Sequence, residues 1–254
     1  MKPERIERLL NEVAGGEVTA AEALEELREL PFQDLEHTIV DTHRELRQGA
    51  PEVVFGAGKS GEQLGEILGR IYQSHHRALA TRVSRRKARI VEELLPEARY
   101  DRLSRLLILG QRPEPRAHPY VVVACAGTSD LPVAEEASQT LEFLGHRVER
   151  VTDVGVAGLH RLLDKLGTLR AAGVVVSVAG MEGALTSVIG GLVACPVVGV
   201  PTSVGYGISR GGEAALHAML SSCASGVSVV NIDNGFGAAM VASSIIRSGK
   251  EDAC

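Results

Sequence analysis

From residue 120 onward the sequence repeats one pattern five times. Residues 120–126, 147–154, 173–179, 196–200 and 227–232 are apolar, mostly β-branched runs, and a helix-length segment separates each from the next. A strand with one wet face alternates apolar and polar residues. These runs are close to continuous, so both faces of each strand are buried. Parallel strands need crossover connections, and helices supply both the crossover and the cover. The pattern therefore predicts an α/β three-layer sandwich around a mostly parallel five-stranded sheet. On such sheets ligands bind beyond the carboxyl ends of the strands. The segments in those places read AGTSD (126–130), TDVGVAG (152–158), VAGMEGALTS (178–187), VPTSVGYG (200–207) and NIDNGFGAA (231–239). All five are rich in Gly, Ser, Thr, Asp or Asn, as a ligand-binding edge would be.

Ahead of the sheet lies a different organisation. Ile6, Leu9, Leu10 and Val13 form a helical stripe ended by Gly15 and Gly16. Thr19 and Glu22 have capping-box spacing, and Leu24, Leu27 and Leu30 continue an apolar face, so two short helices in a hairpin are expected. Residues 50–110 then read as strand, helix, strand, helix, strand, a small βαβαβ unit. The proline-rich stretch QRPEPRAHP (111–119) is the best boundary, dividing the chain into domains at 1–115 and 116–254.

Composition excludes several classes of function. The net charge of −5 leaves no broad basic surface for nucleic acid. The longest basic cluster, RVSRRKAR (82–89), reads as a solvated helix face. No apolar run approaches the roughly 20 residues that span a bilayer, and the start MKPERIERLLNEV lacks the apolar core of a secretion signal. The four cysteines show neither CxxC spacing nor histidine pairing, which fits free thiols in a reducing cytoplasm.

The loops differ in what they offer. FGAGKSG (55–61) fails as a P-loop, because Val53 stands where its first glycine is needed, although Lys59 and the helix start behind it could hold a phosphate. In AGTSD, the amide of Gly127 and the hydroxyls of Thr128 and Ser129 suit an anion, while Asp130 would bond a ribose hydroxyl or cap the helix opening at Leu131-Pro132. Glu182, between glycines after a buried strand, is either a helix N-terminal charge or an acid/base group. Asp153 and Asp233 each follow an apolar run and share that ambiguity. His160 and His217 fall within helices and read as surface residues. Cys125 lies inside a strand and Cys195 at a strand entrance, both as packing residues, and Cys254 is terminal. Cys223 differs: it stands on the junction between a helix starting near Arg210 and the strand toward Ile232. A helix C-terminus disfavours a thiolate, so a nucleophilic Cys223 needs something else to favour it, and a cationic substrate beside it would do so.

Taken together, AGTSD, VAGMEGA and PVVGVPTS resemble the phosphate loop, central glycine-rich loop and fourth-strand segment of aminoimidazole ribonucleotide carboxylases. A closer resemblance, over nearly the whole chain, is to the LarB family of nickel-pincer nucleotide biosynthesis proteins. It is carried by RVERVTDVGVAGLHRL, AGMEGAL, IGGLV, VPTSVGYG, SCASGV, VVNIDNGFGAA, PEVVFGAGK and TRVS. The resemblance implies a flavodoxin-like sheet domain and a homo-octamer built on it. It also implies a substrate, nicotinic acid adenine dinucleotide. That family carboxylates C5 of the pyridinium ring with CO2 and cleaves the phosphoanhydride, giving a dicarboxylated mononucleotide and AMP. Cys223 is then the expected nucleophile and Glu182 the acid/base. Gly127, Thr128, Ser129, Asp130, Asp153, Gly180, Met181, Thr202, Ser203, Asp233 and Asn234 are the expected substrate-binding set. No tightly bound cofactor is called for. Mg2+ commonly assists anhydride cleavage, with Asp153 and Asp233 as candidate ligands.

One departure from the purine enzymes matters. Their central loop carries a proton-shuttling histidine, and the corresponding position here is Ala184. Two rivals stay open at this point: a purine-pathway carboxylase or mutase, and a nucleotide-binding module without chemistry. None of the readings involves a nucleic acid or a membrane partner.

Overall fold

The computed structural model describes residues 3–27, 32–35 and 38–249. Leu30 and Cys254 lie outside the described residues. The chain divides into two compact units, Met1–Gln111 and Arg112–Cys254.

The first unit opens with α1 (Pro3–Ala14) and α2 (Ala20–Leu27). The capping box between them forms: Thr19 N donates to Glu22 Oε2 at 2.8 Å and Glu22 N to Thr19 Oγ1 at 3.2 Å. The apolar stripe is narrower than its spacing suggests. Leu9 and Ala23 are buried, whereas Leu10 and Leu24 are exposed. Small Ala23 takes the inner position on α2, and its neighbour Leu24 is turned outward. A short antiparallel ladder, β1 (Phe32–Asp34) with β2 (Ile39–Asp41), and the brief α3 (Arg44–Gln48) follow.

Then come β3 (Val53–Phe55), α4 (Gly61–His75), β4 (Arg77–Thr81), α5 (Arg85–Leu94), β5 (Arg99–Tyr100) and β6 (Leu107–Gly110). The sheet order is β3-β4-β6-β5. This corrects the simple βαβαβ reading. The apolar segment expected as the third strand, β6, runs antiparallel to both its neighbours. The two-residue β5 is the strand that α5 delivers. A tight turn, held by Ser104 N on Asp101 Oδ1 at 2.7 Å and by Arg105 at φ 57°, folds β6 back between β4 and β5. Ser60 and Gln63 cap α4 reciprocally. Lys59 Nζ donates to Phe55 O at 3.3 Å, and Arg85, Arg86 and Arg89 face solvent. Elsewhere in the unit, buried Glu45 accepts from half-buried Arg77 at 2.9 Å and pairs with buried His75 at 2.8 Å.

The second unit contains β7 (Arg116–Cys125), α6 (Leu131–Phe143), β8 (His146–Val151), α7 (Leu159–Asp164), α8 (Leu166–Arg170) and β9 (Val174–Ala179). It continues with α9 (Ala184–Gly190), β10 (Val197–Pro201), α10 (Glu213–Leu220), β11 (Val227–Val229) and α11 (Gly235–Ser248). The sheet order is β11-β10-β9-β7-β8 and every pairing is parallel. Numbered within this unit the order is 5-4-3-1-2, the flavodoxin-like arrangement, with its switch point between β7 and β9. The central strands β9 and β10 are buried at every residue, which is why their sequence does not alternate. Val121, Val123, Val176 and Val178 face α6 and α11 on one side. Val122, Ala124, Val175 and Val197 pack with Leu162, Leu185 and Met219 on the other.

Two edges are blunted. β11 pairs over only three residues, shorter than the run 227–232, and β8 carries Arg147, Glu149 and Arg150. Arg150 is clamped by Glu135 and Glu142, and Arg112 also pairs with Glu142. α10 starts three residues later than the sequence suggests. Gly211 and Gly212 both adopt left-handed backbone, at φ 84° and 86°, which a helix cannot include.

Candidate active site

Four loops meet around the switch point. They enclose a cleft of about 370 Å3 lined by Ala126, Gly127, Ser129 and Asp130 after β7, by Gly155, Val156 and Ala157 after β8, and by Ala179–Glu182, Ala184 and Leu185 around the end of β9, with Val204 after β10. The strand order dictates this place. Crossovers leave β7 and β9 toward opposite faces of the sheet, so their carboxyl-end loops part and leave a crevice.

The walls are made of backbone and small side chains for steric reasons. A Cβ on Gly180 would stand 2.3 Å from Val204 O, and one on Gly155 would stand 2.8 Å from Ala126 O. Met181 N donates to Val204 O at 2.9 Å and Gly183 N to Gly180 O at 2.9 Å, so residues 180–183 turn tightly. Met181 sits at φ 54°, a conformation that is costly for a non-glycine side chain. This turn leaves Glu182 exposed at the cleft and places Ala184 at the first position of α9, lining the same cleft.

Asp130 is the buried polar centre. It is 4% exposed, and its carboxylate accepts from Thr202 Oγ1 at 2.7 Å and from Gly127 N at 2.9 Å. Burial pushes its pKa up, against the pull of those two donors and of Gly180 N, and the charge of Asp233 adds to the rise. The expected ribose contact is therefore replaced by an internal one: Asp130 ties the β7 loop to the end of β10. Thr202, fully buried, is the other half of that tie rather than a free ligand group.

The remaining expected residues divide clearly. Thr128 and Ser129 are exposed at the loop crest, and Ser129 lines the cleft. Ser203 N donates to Asp233 Oδ1 at 2.8 Å, which joins the loops after β10 and β11. Asn234 caps α11 through Gly237 N at 2.8 Å. Asp153 is exposed and ion-paired to Arg161. Among the described residues no group of three or more His, Cys, Asp or Glu side chains stands together as a metal site. A divalent cation here would take at most one or two carboxylates and complete its shell with substrate phosphates and water.

Cys223 is not brought to the cleft of its own chain. It lies between the end of α10 at Leu220 and the start of β11 at Val227, on the amino edge of the sheet. Its loop is anchored there: Gly226 O accepts from Val197 N at 3.0 Å, and Ser222 Oγ accepts from Ser187 Oγ at 2.8 Å near the end of α9. The thiol is exposed, in contrast to fully buried Cys125 and half-buried Cys195, whose pKa values burial raises. A junction reading from sequence finds the right loop but not its edge, because a helix-to-strand junction lies opposite a strand-to-helix one.

Sequence reasoning also passed over Glu136. It is buried on α6 and accepts from Phe236 N at 3.3 Å, capping α11 from another helix. Only the packing of α6 against α11, a hundred residues apart, reveals it.

Comparison with known proteins agrees with this architecture. Residues 32–111 match the model of a LarB/PurE-like N-terminal domain, and residues 120–253 match that of AIR carboxylase. An uncharacterized protein of Methanocaldococcus jannaschii is 38% identical over 253 residues, covering 94% of this chain and 96% of that one. A crystal structure of a Treponema denticola PurE2 variant is 19% identical and covers 53% of this chain and 91% of its own, at a TM-score of 0.40. No described helix is long and apolar enough to cross a membrane. With both domain models matched in sequence along one chain and a relative aligned almost end to end, this protein belongs to the LarB/PurE-like family of AIR carboxylase-type proteins.

Proposed function

We propose that this protein carboxylates the pyridinium ring of nicotinic acid adenine dinucleotide at C5 and hydrolyses its phosphoanhydride, releasing AMP and a dicarboxylated pyridinium mononucleotide. One observation carries the reading. The cleft is lined by Ala184, the position that by resemblance corresponds to the proton-shuttling histidine of purine carboxylases, and by Glu182. Among the described residues no histidine lines the cleft. Aminoimidazole is already an electron-rich enamine, whereas a pyridinium ring is electron-poor and needs a different activation.

A thiolate supplies it. Addition of the Cys223 thiolate to the ring forms a C–S bond and moves a π pair onto the ring nitrogen, leaving a neutral dihydropyridine. C5 of that enamine attacks CO2. Glu182 takes the C5 proton, and expulsion of the thiolate restores the aromatic cation. Glu182 is well placed at the cleft for a proton transfer, a role worth roughly 10²–10⁴-fold in such steps. Mg2+, bound through the substrate phosphates, would offset charge during anhydride cleavage. The substrate and CO2 fit an enzyme of the cytoplasm.

The thiol and the cleft stand on opposite edges of one sheet, so the reading requires that Cys223 enter the cleft of a second copy. A closed assembly such as a homo-octamer satisfies that requirement.

Mass spectrometry of protein mixed with the dinucleotide and bicarbonate is expected to find AMP and a mononucleotide heavier by one carboxyl group. Turnover of aminoimidazole ribonucleotide in its place, or binding without product, overturns the reading. Cys223→Ser and Glu182→Gln should each abolish product. Co-assembled from the two mutant chains, the enzyme should regain up to about a quarter of wild-type sites, the share in which both residues are intact. Failure to regain any activity would refute the sharing of a site between copies.

A further inference from the structure

The loop between β10 and α10 carries two large side chains in open solvent. Tyr206 is 77% exposed and Ile208 94%. The other aromatic rings of this unit are spent on packing: Phe143 is fully buried, Tyr120 is 8% exposed with its hydroxyl donating to Thr168 O, and Phe236 is half-buried. Tyr206 lies two residues beyond Val204, which lines the cleft and accepts the Met181 amide. Glycines stand at 205, 207, 211 and 212, and the last three have positive φ. The segment is therefore pinned at its cleft end, and beyond it residues 207–212 form a short 3-10 helix whose glycines hold left-handed backbone.

The charged side chains that line the cleft, Asp130 and Glu182, are both acidic, and the loop itself carries one exposed cation, Arg210. Asp130 forms part of the cleft lining, and Glu182 stands exposed at its mouth. Asp233 is fixed by Ser203 N, three residues before Tyr206. Arg161 beside the neighbouring loop is engaged with Asp153. An exposed aromatic face two residues beyond the lining of a cleft whose charged groups are carboxylates suits an organic cation, because the ring's quadrupole and the carboxylates attract the same charge.

We infer that Tyr206 is a specificity residue, the face on which the cationic ring of the substrate rests when the 205–212 loop settles over the cleft. The inference rests on the pyridinium reading and adds how the ring is chosen over uncharged analogues. It predicts that the oxidised dinucleotide binds more tightly than its 1,4-dihydro form, which has the same shape class but no ring charge.

Isothermal calorimetry without bicarbonate or divalent metal tests it on the full chain. Wild type and Tyr206→Phe should both prefer nicotinic acid adenine dinucleotide over its dihydro form. Tyr206→Leu, which keeps apolar bulk but removes the π face, should lose roughly tenfold of that preference while binding AMP as wild type does. The chain contains no tryptophan, so Tyr206→Trp adds a single reporter whose emission the pyridinium ring should quench on binding. Equal preference in wild type and Tyr206→Leu overturns the inference alone. A parallel loss of AMP affinity would place adenine on Tyr206 instead and also overturns it. So does a change in solution mass of the Tyr206→Leu protein, which would assign the ring to contacts between copies. If wild type binds neither form of the dinucleotide, the pyridinium reading falls and takes this inference with it.

Discussion

At the scale of single residues, the pair Asp130–Thr202 couples the stability of the fold to pH. Burial raises the Asp130 pKa in the folded chain, so its ionisation costs stability. The sign follows directly: the penalty is absent where the carboxyl is protonated in both states, grows as pH rises from the ordinary carboxylate value through the raised one, and is complete above it. The Thr202 hydroxyl partly offsets the rise. Thr202→Val keeps the shape and removes the donor, so the folded pKa climbs further. The variant should lose about 1.5–3 kcal/mol at pH 7, the range for a hydrogen bond to a charged group, and less at pH 4. Urea unfolding at the two pH values reads the difference. A loss that is the same at both would mean that Asp130 does not ionise in the fold.

Elements show what the sequence could and could not announce. The central strands were legible because burial on both faces erases alternation, and β9 and β10 are indeed buried throughout, whereas the edge strands β8 and β11 are only partly buried, against the expectation that both faces of every strand are covered. The loops AGTSD and AGMEGA could be placed at one edge because connection rules put them there, and they do line one cleft. What escaped depends on neighbours distant in sequence. The antiparallel β6 inserts between strands it does not follow, Thr202 and Asp130 meet across 72 positions, and Glu136 serves a helix a hundred residues on. Apolar periodicity carries no information about such meetings. The α6–α11 crossing is a close one. A Cβ on Gly235 would lie 2.4 Å from Val133 O, whereas one on Gly167 in α8 would meet nothing within 4 Å. Gly235→Ala is therefore expected to destabilise by about 1–3 kcal/mol through overpacking. Gly167→Ala should stabilise by roughly 0.5–1 kcal/mol through helix propensity. Thermal melts of the two variants should move in opposite directions.

For the molecule as a whole, the division at Gln111 and Arg112 gives each unit its own core. A fragment of residues 112–254 should therefore unfold cooperatively in urea, with circular dichroism and tyrosine fluorescence giving coincident transitions. A broad, probe-dependent loss of structure would mean that the second unit depends on the first. On the proposed reading the site is likewise divided, with Glu182 on one edge of the sheet and Cys223 on the other, so that a single chain carries both proposed groups without bringing them together.

The three-residue β11 and the charge-studded β8 have a consequence for how copies meet. A sheet that ends this way offers no backbone ladder for another chain to extend, so strand addition is closed to it. A union of subunits through this sheet domain is thereby written in side chains on helices and loops, where exchanging one residue can retune the junction and leave the hydrogen-bonded scaffold untouched.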